Sequence, residues 1–262
     1  MTRKGKLLLE AYGISKSFGR VRALDSVDFT VGYSEVVGLV GDNGAGKSTL
    51  IKILAGVIKP DKGELYIRGQ KVDLLNNYSV QHARKLGIEV VFQERALAEQ
   101  HTFWRNLFMG RELTGKFGFL KISKMKEISE KVKGEIGFMS PGVNADSVVK
   151  RLSGGEKQGV AIGRALYFHA DLVLMDEPFT GLSVLESKKV QGFIKELKER
   201  GKSCVIVSHN PLQVYEVAER FVFLNRGRKI GELTKSDIPT VGDLENIMIH
   251  VVKTDSLPLI KR

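Results

Sequence analysis

Gly41-Asp42-Asn43-Gly44-Ala45-Gly46-Lys47-Ser48-Thr49 fits G-x-x-x-x-G-K-[ST] in full, the pattern of a loop that cradles phosphates. Its glycines let backbone N–H groups turn inward around an anion without Cβ clashes. Residues 35–40 before it form a short, apolar, β-branched run that reads as a strand. Residues 47–57 after it place Leu50, Ile51, Ile53, Leu54 and Val57 at helical spacing. The loop therefore joins a strand to a helix whose positive dipole end faces the bound anion. Lys47 can reach the β- and γ-phosphates, and the Ser48 hydroxyl can ligate Mg²⁺. Asp42 adds a negative charge beside the loop, so its side chain is expected to point away from the phosphates. A chance glycine-rich turn would lack this strand and helix on either side.

Two further segments extend the site. Leu172-Val173-Leu174-Met175-Asp176-Glu177-Pro178 reads as a buried strand with two carboxylates at its C-terminal edge, where open α/β sheets bind ligands. Adjacent residues point to opposite sides, so their tasks differ. Asp176 can hold Mg²⁺ or its waters, and Glu177 can polarise the attacking water. Alone, the pair would equally be two solvated acids at a strand end; beside a phosphate loop it reads as catalytic. Leu152-Ser153-Gly154-Gly155-Glu156-Lys157-Gln158 starts a helix through Ala161, Ile162, Ala165 and Leu166. Ser153 and Glu156 fit a capping box there. Gly154 and Gly155 let a phosphate approach this second helix start, and a nucleotide gripped by both starts need not take them from one molecule.

Composition agrees with a globular α/β chain. Hydrophobic residues make up 42% and charged residues 27%, which excludes wholesale disorder. Apolar runs such as residues 172–175 are far shorter than the ~20 residues a membrane-spanning helix needs. No secretory signal is visible in residues 1–10. The one cysteine, Cys204, excludes an intrachain disulfide framework and a cysteine-rich zinc site, and its apolar neighbours suggest a core thiol. Forty-one Lys and Arg against 30 Asp and Glu give a net charge of +11, compatible with an anionic partner or with solubility alone. Strands are expected at residues 7–11, 26–31, 64–67, 88–92, 171–175, 204–207, 221–224 and 229–233, and helices at 121–135 and 185–200. Alternating strands and helices imply a mostly parallel sheet. The tail from Thr254 is expected to fray.

Together the phosphate loop, the Leu-Ser-Gly-Gly-Glu-Lys-Gln run and the strand ending Asp-Glu-Pro resemble the ATP-binding-cassette ATPases, in the right order and over nearly the whole chain. The resemblance implies an α/β phosphate-loop NTPase core with a mostly parallel sheet, an antiparallel β subdomain and an inserted α-helical subdomain. It divides the chain into core (1–92), helical signature subdomain (93–165), core again (166–253) and tail (254–262). It implies ATP as substrate and Mg²⁺ as cofactor. Gly41, Asn43, Gly44, Ala45, Gly46, Lys47, Ser48 and Thr49 would hold the phosphates, with Phe18 stacking on adenine. Ser48, Gln93 and Asp176 would serve the metal, and Lys47, Glu177 and His209 would carry hydrolysis, His209 touching the γ-phosphate. Ser153, Gly154 and Gly155 would grip the ATP of a second copy in a head-to-tail homodimer formed on ATP binding. One position departs from the pattern: Ser183 stands where many relatives carry an aspartate that helps join the monomers.

Within the family, the phosphate loop, Gln93-Glu94, Asn106-Leu107-Phe108-Met109-Gly110-Arg111-Glu112 and Ser183 resemble the ATPases of ribose, fructose and xylose importers. Expected partners are separate membrane permease subunits and, through them, a secreted or periplasmic solute-binding protein. The expected location is peripheral, on the cytoplasmic face of the membrane. Phe103, Trp104, Leu107, Phe108 and Met109 are either core of the helical insertion or the wall of a groove where a permease docks. The alternative is a non-transport cassette acting on nucleic acid or ribosomes. No long heptad insertion and no second cassette is visible, so nucleic acid is not an expected partner.

Overall fold

The computed structural model describes residues 7–92, 97–137 and 140–259. Two long strands, β1 (Leu7–Phe18) and β2 (Val21–Gly32), precede β3 (Val36–Val40), which leads through the phosphate loop into α1 (Lys47–Leu54). Next come β4 (Lys62–Ile67), β5 (Gln70–Val72), α2 (Val80–Lys85) and β6 (Ile88–Val91). The middle of the chain is helical, with α3 (Phe103–Phe108), α4 (Ile122–Ile136) and α5 (Gly154–Tyr167). Then follow β7 (Leu172–Asp176), α6 (Val184–Glu199), β8 (Ser203–Val207), α7 (Pro211–Tyr215), β9 (Arg220–Asn225), β10 (Arg228–Thr234) and α8 (Val241–Thr254).

Two sheets result. One is antiparallel, in the order β2-β1-β4-β5. The other runs β10-β9-β3-β8-β7-β6, parallel throughout except that β10 returns antiparallel beside β9. Strands β3, β7 and β8 are buried at every residue, as a sheet covered on both faces requires. One face packs with α1 against the antiparallel sheet through Phe29, Leu39, Leu50 and Leu174. The other packs Val173, Cys204 and Ile206 with residues of α3, α4, α5 and α6. Burial pushes the Cys204 thiol up to about 12. All parallel strands thus end at one edge, where the phosphate loop and the carboxylates of β7 sit.

Several expectations change: β2 starts at Val21 rather than residue 26, and α1 stops at Leu54, leaving Val57 exposed. Strand β1 runs on to Phe18 rather than stopping at Ala11, because β2 and β4 both pair with it across several register shifts. The start of the tail is anchored, not frayed: the Asn225 amide donates to Asp255 Oδ1 at 3.0 Å, and Leu257 packs against the core. The docking-groove reading fails for Phe103, Leu107 and Phe108, while Trp104 and Met109 line a cavity of about 160 Å³ with Arg105 and Glu112. Phe103, Leu107 and Phe108 are fully buried and Trp104 is 5% exposed, because this face of α3 packs against α4 and α5.

Candidate functional site

The phosphate loop begins with Gly41 at φ 151°, where an added Cβ would run into the Leu224 carbonyl of β9. Gly46, the N-cap of α1, sits at φ 101° with no room for a side chain, the Ala23 carbonyl lying 2.5 Å from where its Cβ would be. Both glycines are therefore demanded by the close approach of neighbouring backbone. The loop lines a cavity of about 500 Å³ whose walls are Phe18, residues 21–23, residues 43–49, Glu177 and His209. Asp42 is exposed and absent from that lining, and its carboxylate accepts the Asn43 N–H at 2.7 Å.

Lys47 is 6% exposed, and its ammonium donates to the Gly41 and Asp42 carbonyls at 2.8 and 2.9 Å. Burial lowers its pKa against the pull of Glu177, Asp176 and Asp42. Its charge is thus compensated by loop carbonyls until an anion arrives. The Ser48 hydroxyl donates to Asp176 Oδ1 at 3.1 Å across the gap between α1 and β7. Asp176 is 3% exposed, and burial raises its carboxyl above the usual range. A hydroxyl beside one carboxylate suits Mg²⁺, which takes few protein oxygens and leaves the rest to water and nucleotide phosphates. Among the described residues no group of three or more His, Cys, Asp or Glu could hold a metal unaided.

Glu177, just beyond β7, has φ 51°, an uncommon conformation for a residue other than glycine. Its backbone N–H is held by the Val207 carbonyl at 2.9 Å. Its carboxylate takes the His209 N–H at 2.8 Å and lies 3.0 Å from His209 Nδ1. The strained turn thereby aims the carboxylate into the cavity, paired with the exposed imidazole. Phe18 also lines the cavity and is 48% exposed, with the Lys16 ammonium 5.5 Å from its ring centroid.

Ser153, Gly154 and Gly155 cap α5 and do not line this cavity. The Ser153 side chain accepts the Glu156 N–H and the Glu156 carboxylate accepts the Ser153 N–H, so the capping box is complete. Ser183 is likewise the N-cap of α6 in a capping box with Glu186. Gln93 lies outside the described residues. Sequence reasoning missed residues 21–23, which the turn between β1 and β2 swings onto the cavity rim. Nothing local marks them, since only the pairing of β1 with β2 brings them there. Asn106, 1% exposed, was also passed over as a structural latch. Its amide donates to the carbonyls of Ala98, His101 and Thr102 and accepts the Ala98 N–H, fixing the segment after residue 96.

A phosphate loop at the edge of a parallel sheet, a buried lysine, a serine–aspartate pair and a glutamate–histidine pair define a nucleoside-triphosphate-binding protein. Comparison with known proteins narrows this. The ABC transporter family matches residues 24–180. The chain is 46% identical over 88% of its length to the xylose/arabinose import ATP-binding protein XylG of Sulfolobus acidocaldarius, covering 89% of that protein. It is 38% identical, again over 88% of its length, to the fructose import ATP-binding protein FrcA of Rhizobium meliloti, covering 89% of it. A similar match to the ribose import ATP-binding protein RbsA of Caldanaerobacter subterraneus covers 46% of that longer protein. Among solved structures, the ADP conformation of the cassette MJ1267 superposes at TM-score 0.73 with 26% identity, over 93% of this chain and 95% of that one. The dimeric post-hydrolysis cassette MJ0796, bound to ADP and Pi, matches equally well over 87% of this chain and 98% of that one. The chain belongs to the ABC transporter family and is one of its ATPase cassettes.

Proposed function

We propose that this chain is the ATP-hydrolysing subunit of an importer, driving uptake of a simple sugar through separate permease subunits on the cytoplasmic face of the membrane. Carrying this reading is the single arrangement in which Lys47, Ser48 and the Glu177–His209 pair line one cavity, with Asp176 hydrogen-bonded to Ser48 behind it. The sugar-import names of the relatives favour transport over work on nucleic acid. Among the described residues no helix is long and apolar enough to cross a membrane, and the reading assigns the solute's path to separate permease subunits.

In this reading the loop N–H groups and Lys47 bind the phosphates and Phe18 stacks on the adenine. Ser48 and Asp176, with Gln93, would hold Mg²⁺, which when bound would neutralise phosphate charge. Glu177 accepts the proton of the attacking water, and His209 both orients that carboxylate and touches the γ-phosphate. Ser153, Gly154 and Gly155 lie away from their own chain's cavity, so they serve the nucleotide of a second copy. Through the permease a solute-binding protein delivers the sugar. Glu177→Gln is expected to keep ATP binding while phosphate release falls by about 10²–10⁴-fold, the usual share of a general base. An unchanged rate removes Glu177 from that role. Uptake of labelled xylose, ribose and fructose by vesicles holding the chain with its permease tests the cargo. ATP turnover coupled to none of these sugars refutes the sugar assignment.

A further inference from the structure

The phosphate seat at the start of α5 is already taken by a carboxylate of the same chain. Gly155 is buried, and its N–H donates to Glu186 Oε1 at 3.0 Å. The packing is close enough that a Cβ on Gly155 would collide with that oxygen. Glu186 reaches over from the first turn of α6. There Oε2 accepts the Ser183 N–H at 2.8 Å, and Ser183 Oγ accepts the Glu186 N–H at 3.3 Å. One carboxylate thus bridges two helix N-termini, where both dipoles favour negative charge. The Ser183 N–H foremost, then its hydroxyl and the Gly155 N–H, hold this carboxyl below the usual carboxylate range, so it is ionised at neutral pH. Beside it, Val184 and Leu185 are 79% and 67% exposed, an apolar pair presented next to the same helix start.

We propose that Glu186 stands in for the nucleotide's phosphate while the chain is alone, and must yield Gly155 before ATP held by a second copy can be gripped. The inference rests on the shared-site reading above. Gly155 has one amide hydrogen, and an ionised carboxylate would face the incoming γ-phosphate at contact distance. Assembly therefore exchanges one anion for another at Gly155. Val184 and Leu185 become covered by the arriving copy. Glu186 keeps its second oxygen on Ser183, so α6 stays capped throughout the exchange.

Glu186→Gln separates charge from capping, because glutamine also completes a capping box. The change is made in a Glu177→Gln background, where ATP is held without turnover, and sedimentation velocity follows dimerisation against MgATP. Half-assembly is expected at an ATP concentration about five- to tenfold lower, the scale of trading a charge-assisted hydrogen bond for a neutral one. Nucleotide binding at protein concentrations too low for dimerisation should be unchanged, since Glu186 does not line the cavity. Equal or weaker assembly by the double variant, with melting temperature intact, overturns the stand-in role. If Glu177→Gln binds ATP and neither variant dimerises, the shared-site reading has failed and the Glu186 proposal falls with it.

Discussion

Leu107→Ala decides what α3 is for. Leu107 is fully buried in the cluster that also holds Phe103, Phe108, Met125 and Val160. Truncation removes three carbons, worth about 2.4 kcal/mol at ~0.8 kcal/mol each. Partial collapse of the cavity left behind brings the loss to about 3–4 kcal/mol. At about 2–4 °C per kcal/mol for a chain of this size, the melting temperature should drop by about 6–16 °C. Circular dichroism melts measure the drop, and nucleotide affinity measured well below the transition should be unchanged because Leu107 is outside the cavity. Leu107→Asp, which buries an unpaired charge, should not fold at all. A shift under about 2 °C for Leu107→Ala, or a stable Leu107→Asp, would refute the core assignment and return α3 to the surface.

Gly41→Ala should abolish nucleotide binding by displacing the loop from the Leu224 carbonyl, and equilibrium dialysis with MgATP reads the loss directly. Wild-type affinity would mean that the loop has slack at this point. Asn106→Ala strands the part-buried Ala98 N–H, while the Ala98, His101 and Thr102 carbonyls keep backbone donors, and should cost about 2 kcal/mol, read as a lowered urea midpoint with unchanged slope.

The phosphate loop was legible because strand, glycines, lysine and helix follow one another without a gap, so local chemistry alone specifies the turn. Asp176 and Glu177 were legible for a similar reason, the apolar run of β7 delivering them to a sheet edge. Helices α2, α7 and α8 received no assignment. The first two span 6 and 5 residues, too short for a period to register. The third, 14 residues long, carries Leu244, Ile247, Met248 and Val251 at helical spacing behind a Thr240–Asp243 capping box, so its signal was present in the sequence and was missed. Burial of α3 was one of two open readings because five apolar residues in seven look the same whether they face a core or a partner. The Ser183–Glu186 capping box was visible in the spacing, but the second use of that carboxylate, on Gly155, needs the fold that sets α5 beside α6.

Sealed near the start of β8, Cys204 is chemically silent in the native chain: its thiol is fully buried and resists ionisation. Every surface position is therefore open to single-site tagging without first engineering a background. A cysteine placed at Val184 or on the rim near Arg22 would be the one reactive sulfur. Paired spin labels or fluorophores could then report whether two copies come together when MgATP is added. A buried packing residue thus makes the molecule a ready scaffold for watching its own assembly in real time.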